Sequence, residues 1–212
     1  MQSSLFEDSF NSPAPGWETI ALADAVLKYR RQFYTQTQSD FLFSQLFADT
    51  FWRQESLRFG GKLVPVPRLQ AWYGDSQALY GYSGLHMAPL PWTPTLMTIR
   101  QQLESELQQP FNSVLLNLYR DGQDSVAWHS DDEIELGPNP VIASLSFGAD
   151  RTFELKPLPP RAGKKSVLTL HDGSLLFMGE GLQKHWSHQL PKEPGITRPR
   201  INLTFRFIHA VA

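Results

Sequence analysis

Two histidines and an aspartate have the residue types and the spacing of a metal site. His129-Ser130-Asp131 is followed much later in the chain by His188. Side chains two residues apart in an extended segment point to the same side, so we expect His129 and Asp131 to face together. With a third ligand from a distant strand they would occupy one face of an octahedral metal, as in non-haem Fe(II) sites, although zinc or manganese could also bind. Taken alone, a His-x-Asp pair is more often part of a surface loop.

A segment near the end of the chain alternates polar and apolar residues without a break. As a strand, Arg200–Arg206 would bury its apolar members and place Arg200, Asn202, Thr204 and Arg206 on the opposite face. Its two arginines would lie roughly 20 Å apart, too far to grip one carboxylate. They could hold opposite ends of a site, one near a metal and one at the far end of an elongated diacid, because a guanidinium binds carboxylates bidentately. An ordinary half-exposed strand would show the same pattern.

A third pair of polar residues lies in a strand that ends shortly before His129. Asn117 and Tyr119 are also two residues apart, and an amide and a phenol could both hydrogen-bond the same diacid. A single tyrosine is more often a core residue with an exposed hydroxyl, so Tyr119 alone decides nothing.

The composition of the chain limits the classes of protein to which it can belong. With 212 residues, 41% of them hydrophobic, we expect one soluble domain at residues 17–212 after a flexible tail at residues 1–16. Apolar runs fall far short of the roughly 20 residues that cross a bilayer. No secretory signal is visible, so we expect a cytoplasmic location. The chain has no cysteine, which excludes disulfides and thiolate metal ligands.

Charge is distributed unevenly along the chain. The net charge is only −2, but residues 150–212 contain ten Lys and Arg against five Asp and Glu. Such a region could attract a phosphate backbone or small carboxylates. Arg161, Lys164 and Lys165 form a basic loop for which contact with phosphates is one hypothesis. A solvated surface with uneven charge explains the same distribution.

The secondary-structure pattern changes from helices to strands along the chain. We predict a helix over residues 17–34, an apolar segment of undecided type at 41–56, and a helix that begins at Thr93-Pro94 and ends before Pro110. Short strands follow, at residues 114–120, 141–147, 152–156, 167–170, 174–178 and 200–208. This order predicts an α+β fold, a β-sandwich or jelly roll with helices on one face.

Five segments carry a resemblance to a known family. They are Asn117-Leu118-Tyr119-Arg120-Asp121-Gly122, His129-Ser130-Asp131-Asp132-Glu133, Ser144-Leu145-Ser146-Phe147-Gly148, His185-Trp186-Ser187-His188 and Arg200–Arg206. In identity, order and spacing they resemble the AlkB family of Fe(II)- and 2-oxoglutarate-dependent dioxygenases. The resemblance is closest to the vertebrate DNA-repair members and covers about two-thirds of the chain, from near Val66 to Phe207.

The resemblance implies a double-stranded β-helix, or jelly-roll, core with supporting N-terminal helices. It also implies that Fe(II) is held by three ligands, which are His129, Asp131 and His188. His185 competes for the third position, but the family pattern places the ligand directly before a stretch that matches Gln189-Leu190-Pro191, which favours His188.

The resemblance implies a second group of residues that bind the cosubstrate 2-oxoglutarate. These are Asn117, Tyr119, Arg200, Asn202 and Arg206. Arg206 is expected to meet the distal carboxylate of 2-oxoglutarate, and it is counted with the three iron ligands among the catalytic residues. Arg200 is expected near the metal-proximal end.

The implied reaction is the oxidative demethylation of N-alkylated nucleobases, such as 1-methyladenine and 3-methylcytosine, in single- or double-stranded DNA. It would consume O2 and release formaldehyde, succinate and CO2, and RNA remains open as a substrate. The target base must be single-stranded or flipped out to reach a buried metal. We expect Tyr80 and Tyr82 to stack on the base, and Asp132 or Glu133 to accept a hydrogen bond from its exocyclic amine. We expect a monomer that does not act at a membrane.

Two other functions fit the same residues. The same chemistry on RNA, a protein side chain, a lipid or a small metabolite would leave the iron and 2-oxoglutarate sites unchanged. A non-catalytic β-sandwich binding module could keep the fold, although it would not need a complete set of ligands and both arginines. A metal-dependent hydrolase would require a general base or a second metal that the sequence does not reveal.

Overall fold

A computed structural model describes residues 16–209 except 79, 83, 84 and 88, with the backbone alone at 57, 59, 80–82 and 85–87. Its helices are α1 (Gln36–Asp49), α2 (Pro94–Leu107) and the single turn α3 (Leu182–His185), with a 3₁₀ turn at Ile134–Leu136. Its strands are β1 (Glu18–Thr19), β2 (Leu27–Arg30), β3 (Ser56–Phe59), β4 (Lys62–Pro65), β5 (Leu69–Gly74), β6 (Tyr80–Tyr82), β7 (Leu85–Met87), β8 (Ser113–Tyr119), β9 (Val126–His129), β10 (Ile142–Gly148), β11 (Arg151–Pro157), β12 (Ser166–Leu170), β13 (Ser174–Met178), β14 (Trp186–Leu190) and β15 (Arg200–Arg206).

Two antiparallel sheets form the body of the protein. The larger has the order β1-β2-β13-β10-β15-β8-β5, and the smaller has the order β12-β11-β14-β9. Two hairpins, β3–β4 and β6–β7, form separate two-stranded sheets. This arrangement confirms the predicted α+β jelly roll with supporting helices. No helix among the described residues is long and apolar enough to cross a membrane.

The alternating pattern of β15, an internal strand of the larger sheet, places its residues on two different faces. Ile201, Leu203 and Phe205 are fully buried in the main hydrophobic core, as their spacing predicts. The polar residues of the opposite face are also buried, between 2% and 7% exposed. The half-exposed strand considered from the sequence is therefore wrong, because this polar face lines an internal cavity. Polar groups removed from water require partners, so this cavity is a specialised place in the fold.

Helices α1 and α2 cover the apolar face of the larger sheet. Thr35 accepts a hydrogen bond from the Gln38 amide and completes a capping box, and Thr93 caps α2 ahead of Pro94. Both helices contribute leucines to the core that contains β15. The predicted helix from Thr93 is confirmed, and the undecided segment at 41–56 overlaps α1.

The helix predicted over residues 17–34 is wrong. The chain forms β1 and β2 there, and β2 pairs with β13, with Leu27 opposite Met178. Leu27 and Tyr29 are buried while Lys28 between them is exposed, which is the period of a strand. The hydrogen bonds of a partner strand far along the chain decide the conformation here, and a local pattern cannot include them.

A buried network holds the loop between β8 and β9, the strands that carry Asn117 and His129. Arg151 is 1% exposed and donates to Glu193 Oε2 at 2.9 Å and to backbone oxygens of Asp121, Asp124 and Pro191. Glu193 also accepts hydrogen bonds from Thr152. Two of these hydrogen bonds, to the carbonyls of Asp121 and Asp124, tie the loop to β11, and the others tie β11 to the segment that follows β14.

Candidate active site

The proposed metal ligands meet where two strands of the smaller sheet pair. His129 at the end of β9 lies directly opposite His188 in β14, and their ring centroids are 4.2 Å apart. Asp131 follows two residues later, with its Oδ2 atom 3.8 Å from His188 Nε2. One potential ligand atom from each of the three residues lies within 4.8 Å of the others. Two imidazoles and one carboxylate at this separation match the ligand set of a facial Fe(II) site.

The surroundings orient these three side chains. His129 Nδ1 lies 2.8 Å from the Ala127 carbonyl oxygen, and a hydrogen bond there leaves Nε2 with its lone pair for a metal. The backbone amide of Asp131 donates to the side chain of buried Gln183 at 3.0 Å. This hydrogen bond holds the backbone that carries Asp131.

Electrostatics favour the protonation states that metal ligands need. Burial lowers the pKa of His188 to about 3, helped by neighbouring His129, so His188 is neutral near pH 7. Burial alone would raise the pKa of Asp131, but the Arg206 guanidinium and the two histidines outweigh burial and lower it. A neutral imidazole beside an ionised carboxylate is the form that coordinates a cation.

The structure separates the two histidines that competed for the third ligand position. His188 is 3% exposed and lies against both His129 and Asp131. His185 ends α3 and is absent from the cluster of potential metal ligands found among the described residues. The geometry therefore favours His188.

The positions expected for the two arginines relative to the metal ligands are reversed. Arg206 Nη2 donates to Asp131 Oδ1 at 2.7 Å, so Arg206 lies at the metal end of the cavity rather than the distal end. Arg200 lies over the Tyr119 ring, 5.2 Å from its centroid, and donates to Ser146 Oγ at 2.9 Å. The cause is strand pairing, since β15 runs antiparallel to β8 and Arg200 is opposite Tyr119.

Arg200 has the properties of a side chain that binds an anion. It is 2% exposed, and its Nε atom has no hydrogen-bond partner among the described residues. Burial lowers its pKa to about 10, which leaves it charged at neutral pH. No carboxylate of the described chain forms an ion pair with it. A buried cation without an anion is costly, so a carboxylate ligand is the expected complement.

Two asparagines line the same cavity on adjacent strands. Asn117 Oδ1 accepts from Arg68 Nε at 2.8 Å and from Gln70 Nε2 at 2.9 Å. Its NH2 group must then act as the donor toward the cavity. Asn202 donates to Ser144 Oγ and the Leu145 carbonyl, both at 2.8 Å, and accepts from Thr204. Asn202 is therefore bonded mainly to protein, whereas Asn117 offers its donors to a ligand.

Sequence reasoning missed Arg68 and Gln70, which both line the cavity. They are 7% and 9% exposed and fix the orientation of the Asn117 amide. The sequence gives one weak indication of this role, because Gln70 is a polar residue within the otherwise apolar segment Leu69–Gly74.

The residues proposed to contact the substrate differ in whether they line the cavity. Glu133 lines the cavity, and its Oε2 atom is buried without a hydrogen-bond partner among the described residues. Asp132 is exposed and is not part of the described cavity lining. The backbone of Tyr80 and Tyr82 forms β6, but their side chains lie outside the described part of the structure, so their stacking role stays a prediction.

The basic loop is partly neutralised by the protein itself. Arg161 forms an ion pair with Asp24, and Lys165 Nζ lies 3.6 Å from Glu154. Lys165 also lies over the Trp128 ring. The structure thus supplies internal partners for two of the three cations, which weakens the argument that this loop is a phosphate site.

The residues around the cavity fit both groups that the sequence motifs imply. A histidine pair and a carboxylate supply nitrogen and oxygen ligands for Fe(II), and Arg206 orients the carboxylate from behind. Arg200 and the Asn117 amide supply donors for a bound diacid. No thiolate or second group of three potential metal ligands occurs among the described residues.

A jelly roll with this site is the arrangement of a 2-oxoglutarate-dependent oxygenase, and comparison with known proteins agrees. The chain belongs to the 2OG-Fe(II) oxygenase superfamily, whose family model matches residues 27–206.

Within the superfamily the chain is similar to AlkB homologues. It is 44% identical over 185 residues to the mouse alpha-ketoglutarate-dependent dioxygenase alkB homolog 3, covering 84% of this chain and 64% of the relative. It is 38% identical to the human DNA oxidative demethylase ALKBH2, covering 93% of this chain and 79% of the relative. The solved structure of OsALKBH1 has a TM-score of 0.64 at 16% identity, covers 91% of this chain and 100% of that chain, and supports the fold alone. The chain spans just under two-thirds of the length of the alkB homolog 3 proteins.

Proposed function

We propose that this protein is an Fe(II)- and 2-oxoglutarate-dependent dioxygenase that oxidatively demethylates N-alkylated nucleobases in DNA, with 1-methyladenine and 3-methylcytosine as substrates and formaldehyde, succinate and CO2 as products. The observation that carries the proposal is the His129, Asp131 and His188 cluster in the same cavity as buried Arg200, which has no ion pair among the described residues. The names of the relatives, a DNA oxidative demethylase among them, support the choice of substrate.

The protein's part in the reaction is to bind, orient and exclude water. Bound Fe(II) and 2-oxoglutarate supply the oxidising chemistry that protein side chains lack. His129, Asp131 and His188 would hold the metal, and Arg206 keeps the Asp131 carboxylate ionised and turned toward it. At the other end of β15, Arg200 would bind the distal carboxylate of the cosubstrate, beside Tyr119.

Glu133 gives the cavity a preference for cationic bases. Its unpartnered Oε2 atom is buried at the lining, where a hydrogen-bond acceptor is costly unless a donor arrives with the ligand. Bases methylated at N1 of adenine or N3 of cytosine carry both a positive charge and an exocyclic N–H. An ionised Glu133 would therefore favour the damaged base over the neutral one.

The direct test is reconstitution of the purified protein with Fe(II) and 2-oxoglutarate without oxygen, followed by exposure to air with an oligonucleotide that contains one 1-methyladenine. Mass spectrometry follows methyl loss, and succinate is measured in parallel. Methyl loss that requires both iron and 2-oxoglutarate is the expected result. Succinate without methyl loss would keep the oxygenase and reject the nucleobase as substrate. Failure to form either product, from protein that holds iron, would favour the binding module.

Other parts of the interpretation stay predictions. These are the boundary between a tail at residues 1–16 and a domain at 17–212, the cytoplasmic location and the monomeric state.

A further inference from the structure

An exposed aromatic residue and an exposed arginine lie together at the mouth of the catalytic cavity. Phe51 is 57% exposed although it lines the cavity. Arg53 also lines the cavity, and its guanidinium carbon lies 4.6 Å from the centroid of the Phe51 ring. Since the ring stays more than half exposed with the guanidinium in place, apolar area remains for a further planar group.

The backbone holds this pair in a defined position. The Phe51 amide donates to the Tyr73 hydroxyl at 3.1 Å. Arg53 and Gln70 exchange two backbone hydrogen bonds, of 2.9 and 2.7 Å, so Arg53 is attached to the edge of the larger sheet at β5. The Gln70 side chain in turn donates to Asn117 inside the cavity. The pair is thus joined by short links to the residues that line the site.

Arg53 differs from two other surface arginines that lie over aromatic rings, because those two form ion pairs with carboxylates of the protein. Arg30 lies over Phe33 and is paired with Glu106, and Arg100 lies over Trp92 and is paired with Asp75. Arg53 forms no ion pair with any carboxylate in the described part of the chain. An arginine beside a cavity without an internal anion is suited to an anion from outside, and phosphate matches its planar donors.

We propose that Phe51 and Arg53 form a subsite for the nucleotide that adjoins the target base in the substrate strand. The neighbouring base stacks on the Phe51 ring, and the phosphate that links it to the target nucleotide binds the Arg53 guanidinium. Extrusion of the target base removes a stacking partner from its neighbour, and an aromatic side chain at the cavity mouth replaces that partner. This subsite rests on the proposed demethylation of nucleobases.

Substrates of different length separate the subsite from the catalytic centre. Demethylation is measured on 1-methyladenosine 5′-monophosphate, which has no neighbour, and on a single-stranded oligonucleotide with one 1-methyladenine. Phe51→Ala is expected to raise KM for the oligonucleotide about tenfold, as for loss of one stacked base, and to leave the mononucleotide unchanged. Phe51→Tyr should behave like the wild type and Phe51→Leu like the alanine variant, because stacking needs a ring rather than apolar volume.

The role of Arg53 is tested by the salt dependence of oligonucleotide binding. Arg53→Gln should reduce the slope of log Kd against log salt concentration for the oligonucleotide by about 0.7, as expected for one lost phosphate contact on a single strand. Phe47→Ala and Arg31→Gln are matched controls, since both residues are exposed and do not line the described cavity. Thermal melting of every variant confirms that the fold is kept.

The outcomes distinguish the subsite from the function on which it rests. If the wild type demethylates neither substrate, the proposed function fails. If the wild type is active but Phe51→Ala and Arg53→Gln retain full oligonucleotide kinetics, the subsite is rejected and the function stands. Equal losses for Phe51→Ala on the mononucleotide and the oligonucleotide would also overturn it, because they would place Phe51 at the target base rather than at its neighbour.

Discussion

Replacing Arg200 by methionine should selectively remove the affinity for the distal carboxylate of 2-oxoglutarate. Arg200 is buried, charged and without an ion pair among the described residues, and it donates to buried Ser146. Methionine has a similar length and no charge. The substitution therefore removes a buried cation that has no ion pair among the described residues, and we expect the apo protein to melt at about the same temperature as the wild type.

The magnitude follows from the pKa of Arg200. Burial lowers that pKa to about 10, and at about 1.4 kcal/mol per pKa unit the charged form is disfavoured by about 3 kcal/mol relative to an arginine in water. A bound carboxylate offsets this cost, so the variant should lose about 3 kcal/mol of binding free energy. That loss corresponds to about a 100-fold increase in the Kd for 2-oxoglutarate.

Calorimetric titration of the Fe(II)-loaded protein without oxygen measures this directly. Two ligands are compared, 2-oxoglutarate and 2-oxobutyrate, which has the same metal-binding end and no distal carboxylate. Arg200→Met should weaken the first about 100-fold and leave the second nearly unchanged. Arg198→Met is the matched control, because Arg198 is exposed and does not line the catalytic cavity.

Equal weakening of the two ligands would refute the reasoning, since Arg200 would then act at the metal end. Unchanged affinity for 2-oxoglutarate would also refute it, because the buried charge would have no ligand to complement. Either result would reopen the assignment in which Arg206 meets the distal carboxylate.

Three further predictions concern the metal, acid stability and the core. Asp131→Ala should abolish succinate formation under the conditions in which the wild type turns over, and a variant with full turnover would rule out Asp131 as a ligand. Burial tends to raise the pKa of Glu193, but hydrogen bonds from Thr152 and Arg151 outweigh it and lower the pKa. The stabilisation by Glu193 should therefore be present above the ordinary glutamate pKa and be lost as pH falls through the lowered value, so Glu193→Gln should flatten the acid limb of stability measured by urea unfolding. Leu203→Ala should cost about 2–5 kcal/mol of unfolding free energy in the same assay, because Leu203 is fully buried beneath the helices, and a cost below 1 kcal/mol would contradict the packing described.

The site shows which features a local pattern can predict. The alternation in Arg200–Arg206 identifies a strand with an apolar and a polar face, and β15 has both. The pattern could not say which arginine lies at which end of the cavity. That depends on the antiparallel pairing of β15 with β8, which brings Arg200 opposite Tyr119 and leaves Arg206 to reach Asp131.

The first part of the chain shows the opposite case. Residues 17–34 contain apolar residues at spacings compatible with a helix, but β2 obtains its hydrogen bonds from β13, nearly 150 residues away along the chain. By contrast, the helix from Thr93 has its capping residue and Pro94 in the adjacent sequence, and it was predicted correctly. Local signals were sufficient only where the determining partners were also local.

The sequence by itself determined the chemistry available to this protein. Its lack of cysteine limits metal ligands to nitrogen and oxygen, and the motifs around His129 and in Arg200–Arg206 supply the ligands and the cations. The tertiary structure decided which of these groups meet. It brought His188 rather than His185 to the metal ligands, removed Arg200 from water, and placed Phe51 at the cavity mouth. The reason is that distances between residues far apart in the chain are set by strand pairing and sheet packing, which no short segment contains.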